Sequence, residues 1–345
     1  MIKDIKSMSA PEIEALLNEL GQPSYRAKQI FSWLHKNKVS SYSEMTNIPK
    51  TLIALLEENY PLRGCAVKQK QISAKDSTVK YLFELYDGEF VESVVMKYKY
   101  GYTVCVSTQA GCKMGCSFCA STVGGFRRNL LPGEIVSEIY TAEKDLNITV
   151  SHIVLMGMGE PLDNYDNVMR FLELVTDVEG HNISMRNISL STCGIVPRIY
   201  DLMQKRLGLT LSISLHAPFD EMRSRIMPVN NKYHIDELLK ACRDYAGATS
   251  RRISFEYAML SGINDTDECA VALAKELKGM LCHVNLIPVN EVRESPYHPS
   301  TPERVKSFTG ILGKNGITAT VRRKLGSDID ASCGQLRLRH TKGNG

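Results

Sequence analysis

Apolar positions recur along the chain at two spacings, and the change from one to the other marks its organisation. Up to about residue 60 the period is helical. Ser9 followed by Pro11 and Glu12 reads as a capping box, and Ile13, Leu16, Leu17 and Leu20 then share one face before Gly21 stops the turn. Ser24 opens a second helix, with Ala27, Ile30, Phe31 and Leu34 on one face and Arg26, Lys28, Lys36 and Lys38 left for solvent; a third is predicted from Thr51 to Asn59. Residues 79–96 alternate around Asp87-Gly88, a hairpin signal. Strand-like runs then recur at Thr103–Ser107, His152–Met156, Ile188–Thr192, Leu209–Leu215, Ile253–Tyr257 and His283–Ile287. Helical patterns separate and follow them at Pro132–Asp145, Tyr165–Val178, Pro197–Arg206, Ile235–Tyr245, Asp267–Lys278 and Pro302–Gly313. Connections of that length require parallel strands with crossover helices. The pattern therefore predicts an α/β fold: a partial, open (βα)6 barrel over 101–300. A small helical N-terminal domain (1–64) and a linker with a β-hairpin (65–100) precede it, and a C-terminal helix, strand and basic tail (301–345) follow. In such barrels the chemistry collects at the C-terminal ends of the strands.

Composition narrows the class without naming it. With 345 residues, 43% hydrophobic and 23% charged, the chain is ordinary globular protein, which excludes wholesale disorder. Its longest apolar runs, such as Ile153–Met156, fall far short of the roughly 20 residues a membrane span needs. Met1 to Ser9 carries Lys3, Asp4 and Lys6 and no apolar core, so no secretory signal is expected and the predicted location is the cytoplasm. Thiols stay reduced there, so clustered cysteines point to metal binding or catalysis rather than a disulfide framework. The net charge is only +4, but it is unevenly placed. Met96 to Asn129 holds five basic residues and no acidic one; Val321 to Gly345 holds six against two; residues 1–70 hold ten against seven; residues 129–320 hold 19 against 24. Solvated faces collect such charge by chance, and phosphate attraction collects it for nucleic acid; both readings stand at this point, as do packing and RNA docking for the N-terminal helices.

Of ten cysteines, only Cys112, Cys116 and Cys119 are clustered, as C-x3-C-x2-C just after the first barrel strand. A structural zinc site is usually closed by a fourth Cys or His, and none follows at short spacing. Three thiolates suit an iron–sulfur cube that keeps one iron open for an exogenous ligand. Other strand ends carry ligand-binding chemistry. Gly157-Met158-Gly159-Glu160-Pro161-Leu162 follows the second strand, Ser191-Thr192-Cys193-Gly194 the third, Ser214-Leu215-His216 the fourth, and Asn285-Leu286-Ile287-Pro288-Val289-Asn290 the sixth. Glycines there admit close approach of backbone to a ligand, and Glu160, Ser191 and Asn290 offer polar groups to an amino-acid head and a ribose. Singly these are weak signals; with the cysteine spacing they are strong.

The combination resembles the radical S-adenosylmethionine (SAM) superfamily, including the aromatic Phe118 before the last cysteine. That resemblance implies a radical-SAM barrel with a [4Fe-4S] cluster on Cys112, Cys116 and Cys119. The open iron of the cluster would chelate S-adenosyl-L-methionine, and Gly159, Glu160, Ser191, Ser214, Leu215, His216 and Asn290 would bind the cofactor. Three further features are more specific: Gly326-Ser327-Asp328-Ile329-Asp330-Ala331-Ser332-Cys333-Gly334-Gln335-Leu336, Cys105 seven residues before the cluster, and Gly125-Phe126-Arg127-Arg128-Asn129-Leu130 after it. Over nearly its whole length the chain is similar to the RlmN family of dual-specificity RNA methyltransferases. The similarity implies methylation at C2 of an adenosine in the 23S rRNA peptidyl-transferase centre and of the tRNA adenosine beside the anticodon, position 37. It also implies an RNA-docking role for the N-terminal domain and two SAM molecules per turnover. One SAM methylates the Cys333 thiolate, and the deoxyadenosyl radical from the second abstracts hydrogen from that S-methyl so that the carbon radical adds to C2. C2 carries no lone pair, so simple displacement from a sulfonium methyl lacks a nucleophile. Glu92 would remove the C2 proton, and Cys105 would attack the Cys333 sulfur and release the product as a transient disulfide, a thiolate exchange that cellular thiols reverse. An electron donor such as flavodoxin and a thiol reductant are the implied partners. Cys65, Cys193, Cys242, Cys269 and Cys282 are read as buried thiols.

Two alternatives are distinct. A related antibiotic-resistance methyltransferase modifies C8; Ala110, where that enzyme tends to have a cysteine, and Gly159-Glu160-Pro161-Leu162-Asp163-Asn164 favour C2. A noncatalytic zinc-containing RNA-binding protein would explain the basic zones but not the strand-end segments or the pair Cys105 and Cys333. Arg127, Arg128, Arg322 and Arg323 are expected to contact phosphates.

Overall fold

The computed structural model describes residues 4–289, 296–329 and 334–343. Asn290 and Cys333 lie outside the described residues. Three helices open the chain, α1 (Ala10–Glu19), α2 (Tyr25–His35) and α3 (Lys50–Asn59). The start of α1 is fixed as the sequence predicts: the Glu12 carboxylate accepts from the Ser9 N–H at 2.7 Å, and Ile13, Leu16 and Leu17 are buried. Then come β1 (Cys65–Ile72), β2 (Val79–Leu85), β3 (Phe90–Tyr98), β4 (Gly101–Cys105), the short β5 (Gln109–Ala110), the single turn α4 (Ala120–Val123) and β6 (Arg128–Asn129). Beyond them strands and helices alternate: α5 (Pro132–Leu146), β7 (Val150–Leu155), α6 (Tyr165–Thr176), β8 (Ile188–Thr192), α7 (Val196–Lys205) and β9 (Thr210–Ser214). They continue with α8 (Asp220–Ile226), α9 (Ile235–Thr249), β10 (Ile253–Met259), α10 (Asp267–Leu277), β11 (Cys282–Pro288), α11 (Pro302–Lys314), β12 (Ala319–Val321) and α12 (Gln335–Gly343).

One sheet runs in the order β1-β2-β3-β4-β7-β8-β9-β10-β11-β12. From β4 to β12 all neighbours are parallel, while β1, β2, β3 and β4 pair antiparallel. All six predicted barrel strands and all six helices are present. The parallel core is one strand larger than the six read from the pattern, because β12 pairs with β11. The segment read as a linker also contains a strand. β1 is an edge strand, mostly exposed and including Lys68, Gln69, Lys70 and Gln71, so it carries no apolar alternation to betray it. The central strand β10 is buried at all seven positions, as expected for a parallel strand covered on both faces. Each large apolar side chain sealed there contributes about 1.5–3 kcal/mol.

The N-terminal helices dock on α5. Lys38 Nζ reaches Glu143 at 2.6 Å, the Gly133 N–H donates to Ser7 Oγ at 2.9 Å, and the His35 ring lies beside Tyr140. At the other end, the chain leaving β12 is fastened to the turn between β1 and β2. The Gly326 N–H donates to Asp76 at 2.8 Å, and Asp328 accepts from Ser73 Oγ at 2.6 Å and from the Ala74 N–H at 2.9 Å. Among the described residues no helix is long and apolar enough to cross a membrane.

Candidate active site

A cavity of about 390 Å³ opens at the strand ends. Cys112, Cys116 and Cys119 line it together with Gly159, Glu160, Ser191, Ser214 and His216, and Val94, Met96 and Cys105 supply the wall made by β3 and β4. The loop bearing the three cysteines is closed at its base by the β5–β6 pair, Gln109 with Asn129 and Ala110 with Arg128. Gly111 begins that loop at φ +85°, and a Cβ there would run into the Gly125 carbonyl oxygen, so the position demands glycine. The loop is tied to the barrel twice. The Ser117 N–H donates to Ile226 O at 3.0 Å. Gln109 donates to Asp163 at 2.7 Å and accepts from the Glu160 N–H at 2.9 Å.

Burial pushes the Cys112 thiol up to about 12 and the Cys116 thiol higher still, and nearby thiolates and acids add to both. To be held as thiolates in this cavity, the three need a positive charge to offset their burial. Among the described residues no three His, Cys, Asp or Glu side chains converge as ligands of one metal ion. A cube does not ask for convergence, because each thiolate binds a different iron. The donor set therefore fits a [4Fe-4S] cluster with one iron left to an exogenous ligand.

The strand-end residues divide by what their side chains do. The Glu160 carboxylate, expected to face a ligand, instead braces the strands: Oε1 accepts from the Leu162 N–H at 3.0 Å and Oε2 from the Cys193 N–H at 2.7 Å. Burial raises its pKa, and these donors oppose the rise. Leu215, grouped with its neighbours on sequence, turns its side chain into the main core. His216 stands at φ +59°, a left-handed backbone that a non-glycine residue adopts at a cost of about 1–3 kcal/mol. Its Nδ1 accepts from the Ala258 N–H at 2.9 Å. Burial and, less strongly, the Arg223 charge push it down to about 3, so the ring is neutral with its proton on Nε2. Phe118 packs edge-on against it, centroids 4.9 Å apart.

Sequence reasoning missed Arg223. This side chain is fully buried on α8. It donates to the carbonyls of Cys193 (2.7 Å), Ser214 (3.1 Å) and Leu215 (3.1 Å) and to Asn230 Oδ1 (2.9 Å). It thus ties together the ends of β8 and β9 that carry Ser191 and Ser214 to His216. No periodic signal marks it, because α8 is too short to display a face. On the β3 wall, Glu92 is buried as its apolar neighbours suggest. Its carboxylate is 2.5 Å from Lys80 Nζ and accepts the N–H groups of Gly334 and Arg337, each at 2.6 Å. Cys105 is buried one cross-strand row away, opposite Val94. Arg128 corrects an expectation. Its guanidinium takes Glu134 in a bidentate pair at 2.7 and 2.8 Å and Asp87 at 2.5 Å, so it is engaged inside the protein rather than offered to phosphate. Arg322, Arg323 and Lys324, by contrast, line the cavity.

Comparison with known proteins decides among the readings. Residues 106–274 match the radical SAM superfamily, and residues 3–61 match the ribosomal RNA large subunit methyltransferase N-terminal domain. A Clostridium perfringens protein named "Probable dual-specificity RNA methyltransferase RlmN" is 52% identical over 344 residues, covering 100% of this chain and 99% of its own. One of the same name from Desulforamulus reducens is 50% identical over 341 residues, covering 99% and 97%. The chain belongs to the RlmN family. A solved radical SAM methyltransferase from Sphaerobacter thermophilus superposes with a TM-score of 0.93 at 42% identity, covering 96% of this chain and 98% of that one. Membership makes this an enzyme of the radical SAM class, for which the family implies a [4Fe-4S] cluster and SAM.

Proposed function

We propose that the chain methylates C2 of adenosine in RNA, in the 23S rRNA peptidyl-transferase centre and at tRNA position 37, through a methyl group carried on Cys333. One observation carries this reading. The cavity that gathers three cluster thiols also holds a further buried thiol, Cys105, on its β3–β4 wall, and radical generation by itself has no use for it. What the bound cofactors supply is the methyl group and a 5′-deoxyadenosyl radical, from two SAM molecules in each turnover. The chain's own residues do the rest. Cys112, Cys116 and Cys119 hold the cluster, and the Ser191, Ser214 and His216 region, with Gly159 and Asn290, seats SAM. His216 presents an Nε2–H and Phe118 a flat apolar edge. Cys333 is the nucleophile that carries the methyl carbon, and Cys105 attacks the Cys333 sulfur, the S–S bond forming as the S–CH2 bond breaks and the methylene carbon, leaving with the electron pair, takes a proton to become the C2 methyl; the disulfide left behind is reopened by a thiol reductant. Glu92 takes the C2 proton, on the lone pair of Oε1 that its three hydrogen bonds leave open. Flavodoxin or a similar donor supplies electrons. Arg322, Arg323 and Lys324 at the cavity draw phosphates, the target base leaving its stack to enter the cavity.

The test is anaerobic turnover on rRNA and tRNA, digestion, and chromatography with mass spectrometry against both methyladenosine standards. 2-Methyladenosine is the expected product. 8-Methyladenosine would replace this reading with the antibiotic-resistance activity, and protein containing zinc but no iron would replace it with a noncatalytic one.

A further inference from the structure

Lys80 has unusual surroundings for a lysine. It sits in β2 with its side chain fully buried, against a Glu92 side chain buried almost as completely. The sheet register shows where this pair stands. Lys80 faces Val94 across β2 and β3, and Val94 faces Cys105 across β3 and β4. Directly opposed residues project to the same side of a sheet. Lys80, Val94 and Cys105 therefore form one row, and Glu92 and Met96 flank Val94 on the same face.

Glu92 also fixes the beginning of α12. The two amides it receives belong to Gly334, which immediately precedes the helix, and to Arg337 in its first turn. Gly334 stands at φ +83°, and a Cβ there would come within 2.5 Å of the Ser121 N–H, so the start of α12 is pressed against α4, the turn that follows Cys119. An acid at this depth needs a counter-charge, and a cap that receives two amides needs both oxygens as acceptors. A carboxylate has about four lone-pair sites, enough for Lys80 and both amides together.

We propose that Lys80 is a positioning residue for methyl transfer: paired with Glu92 inside the sheet, it fixes the carboxylate that caps α12 and so holds the chain at Gly334, next in sequence to Cys333, on the Cys105 face of β3 and β4. This rests on Cys333 as the methyl carrier.

The experiment is peptide-resolved hydrogen exchange on the cluster-loaded full chain, comparing the unaltered protein with Lys80→Met and with Lys80→Met/Glu92→Gln. The double variant removes both buried charges and serves if Lys80→Met does not fold. Exchange over residues 334–343 is expected to rise about tenfold in each folded variant, the effect of losing about one charge-assisted hydrogen bond, with β7 to β11 as protected as before. The rate at which Cys333 gains a methyl group at saturating SAM, followed by peptide mass, is expected to fall about tenfold at unchanged SAM affinity. Exchange over 334–343 that stays unchanged, or that rises equally across the whole sheet, overturns the proposal; so does raised exchange with unchanged methylation. If Cys333 of the unaltered protein gains no methyl group, the carrier reading has failed instead, and the exchange measurement alone decides whether Lys80 fixes α12.

Discussion

Replacing Arg223 by Met tests whether a buried cation shapes the cofactor site. The guanidinium makes four hydrogen bonds, all to neutral acceptors, and reaches the acid Asp220 through Asn230, whose amide donates to Asp220 Oδ1 at 2.8 Å. Charge-assisted bonds at about 1.5–3 kcal/mol each set a gross loss of about 6–12 kcal/mol. Relief from burying an ion without a carboxylate against it returns several kcal/mol. The net is a destabilisation of about 3 kcal/mol, which in a chain of this size lowers the melting temperature by about 5 °C. Three of the four bonds end on carbonyls at Cys193, Ser214 and Leu215, so the loss falls on the ends of β8 and β9. We expect SAM affinity to drop at least tenfold, measured by calorimetric titration of the anaerobically reconstituted protein beside a melting curve. Arg223→Lys keeps the charge but offers three donors on one atom, and should recover the melting temperature more than the affinity. A melting temperature within about 1 °C of the unaltered protein, with full SAM affinity, would refute the account.

Other expectations follow from single features of the molecule. Cys112→Ala, Cys116→Ala and Cys119→Ala should each lose the cluster, read as iron content and visible absorbance; full iron in one of them removes that residue from the ligand set. Cys105→Ala should trap a covalent enzyme–RNA adduct on Cys333, visible on denaturing gels and absent from Cys105→Ala/Cys333→Ala, whereas normal release of methylated RNA would make Cys105 a structural thiol. Burial, aided by Lys6 and His181, pushes His35 down to about 3, and His216 is as low. Unfolded imidazole titrates near 6.5, so below that pH only the unfolded chain takes up these protons. Stability fully present above about pH 6.5 is lost on acidification, by roughly 1.4 kcal/mol per pH unit for each ring until pH nears 3. His35→Phe should flatten the fall of the urea midpoint between pH 6 and 4, and an unchanged slope would contradict the assignment. RNA affinity should weaken with salt, and Arg323→Ala should reduce the logarithmic salt slope by about 0.7–1. Arg128→Ala should leave that slope alone and cost stability instead, since its partners are Glu134 and Asp87.

The barrel was legible because each of its elements states its own period over enough residues. α5, α7 and α9 show one apolar face, and β7 to β11 are short apolar runs between them. What escaped notice lacks a local signature. β1 is an exposed edge whose stability comes from pairing with β2, and β12, the strand expected in the C-terminal segment, has three residues, too few to show that it extends the parallel sheet. Cofactor chemistry was legible for a related reason. C-x3-C-x2-C and the glycine-bearing strand ends are local arrangements, dictated by backbone that must approach a ligand, and the cavity gathers the three cysteines with Gly159, Glu160, Ser191, Ser214 and His216 but not Leu215.

The buried ions follow a different logic. Lys80, Arg223 and Arg128 are ordinary charged residues on sequence, and counting them predicts a solvated or phosphate-seeking surface; Glu92 alone stands in a run that suggests burial. Their fate is set by partners far along the chain: Glu92 meets Arg337 across 245 positions, and Arg223 meets Cys193 across 30. Burying such charges is costly unless every donor is satisfied, so a fold that retains them with satisfied donors draws specificity of position from them as well as stability. That is the common feature of the two unforeseen cations. Arg223 fixes strand ends where SAM is proposed to sit, and Lys80 fixes the acid that holds the chain next to the proposed methyl carrier. In the proposed reaction the cluster cysteines and the carrier Cys333 come from segments more than two hundred residues apart in sequence. An apolar core fixes the distance between such segments only as well as side chains pack, whereas hydrogen bonds from a buried cation to named backbone atoms fix direction as well. The proposed radical reaction needs that directional control, because in it the radical must meet one methyl group, and that methyl one carbon of one base, before anything else comes within reach.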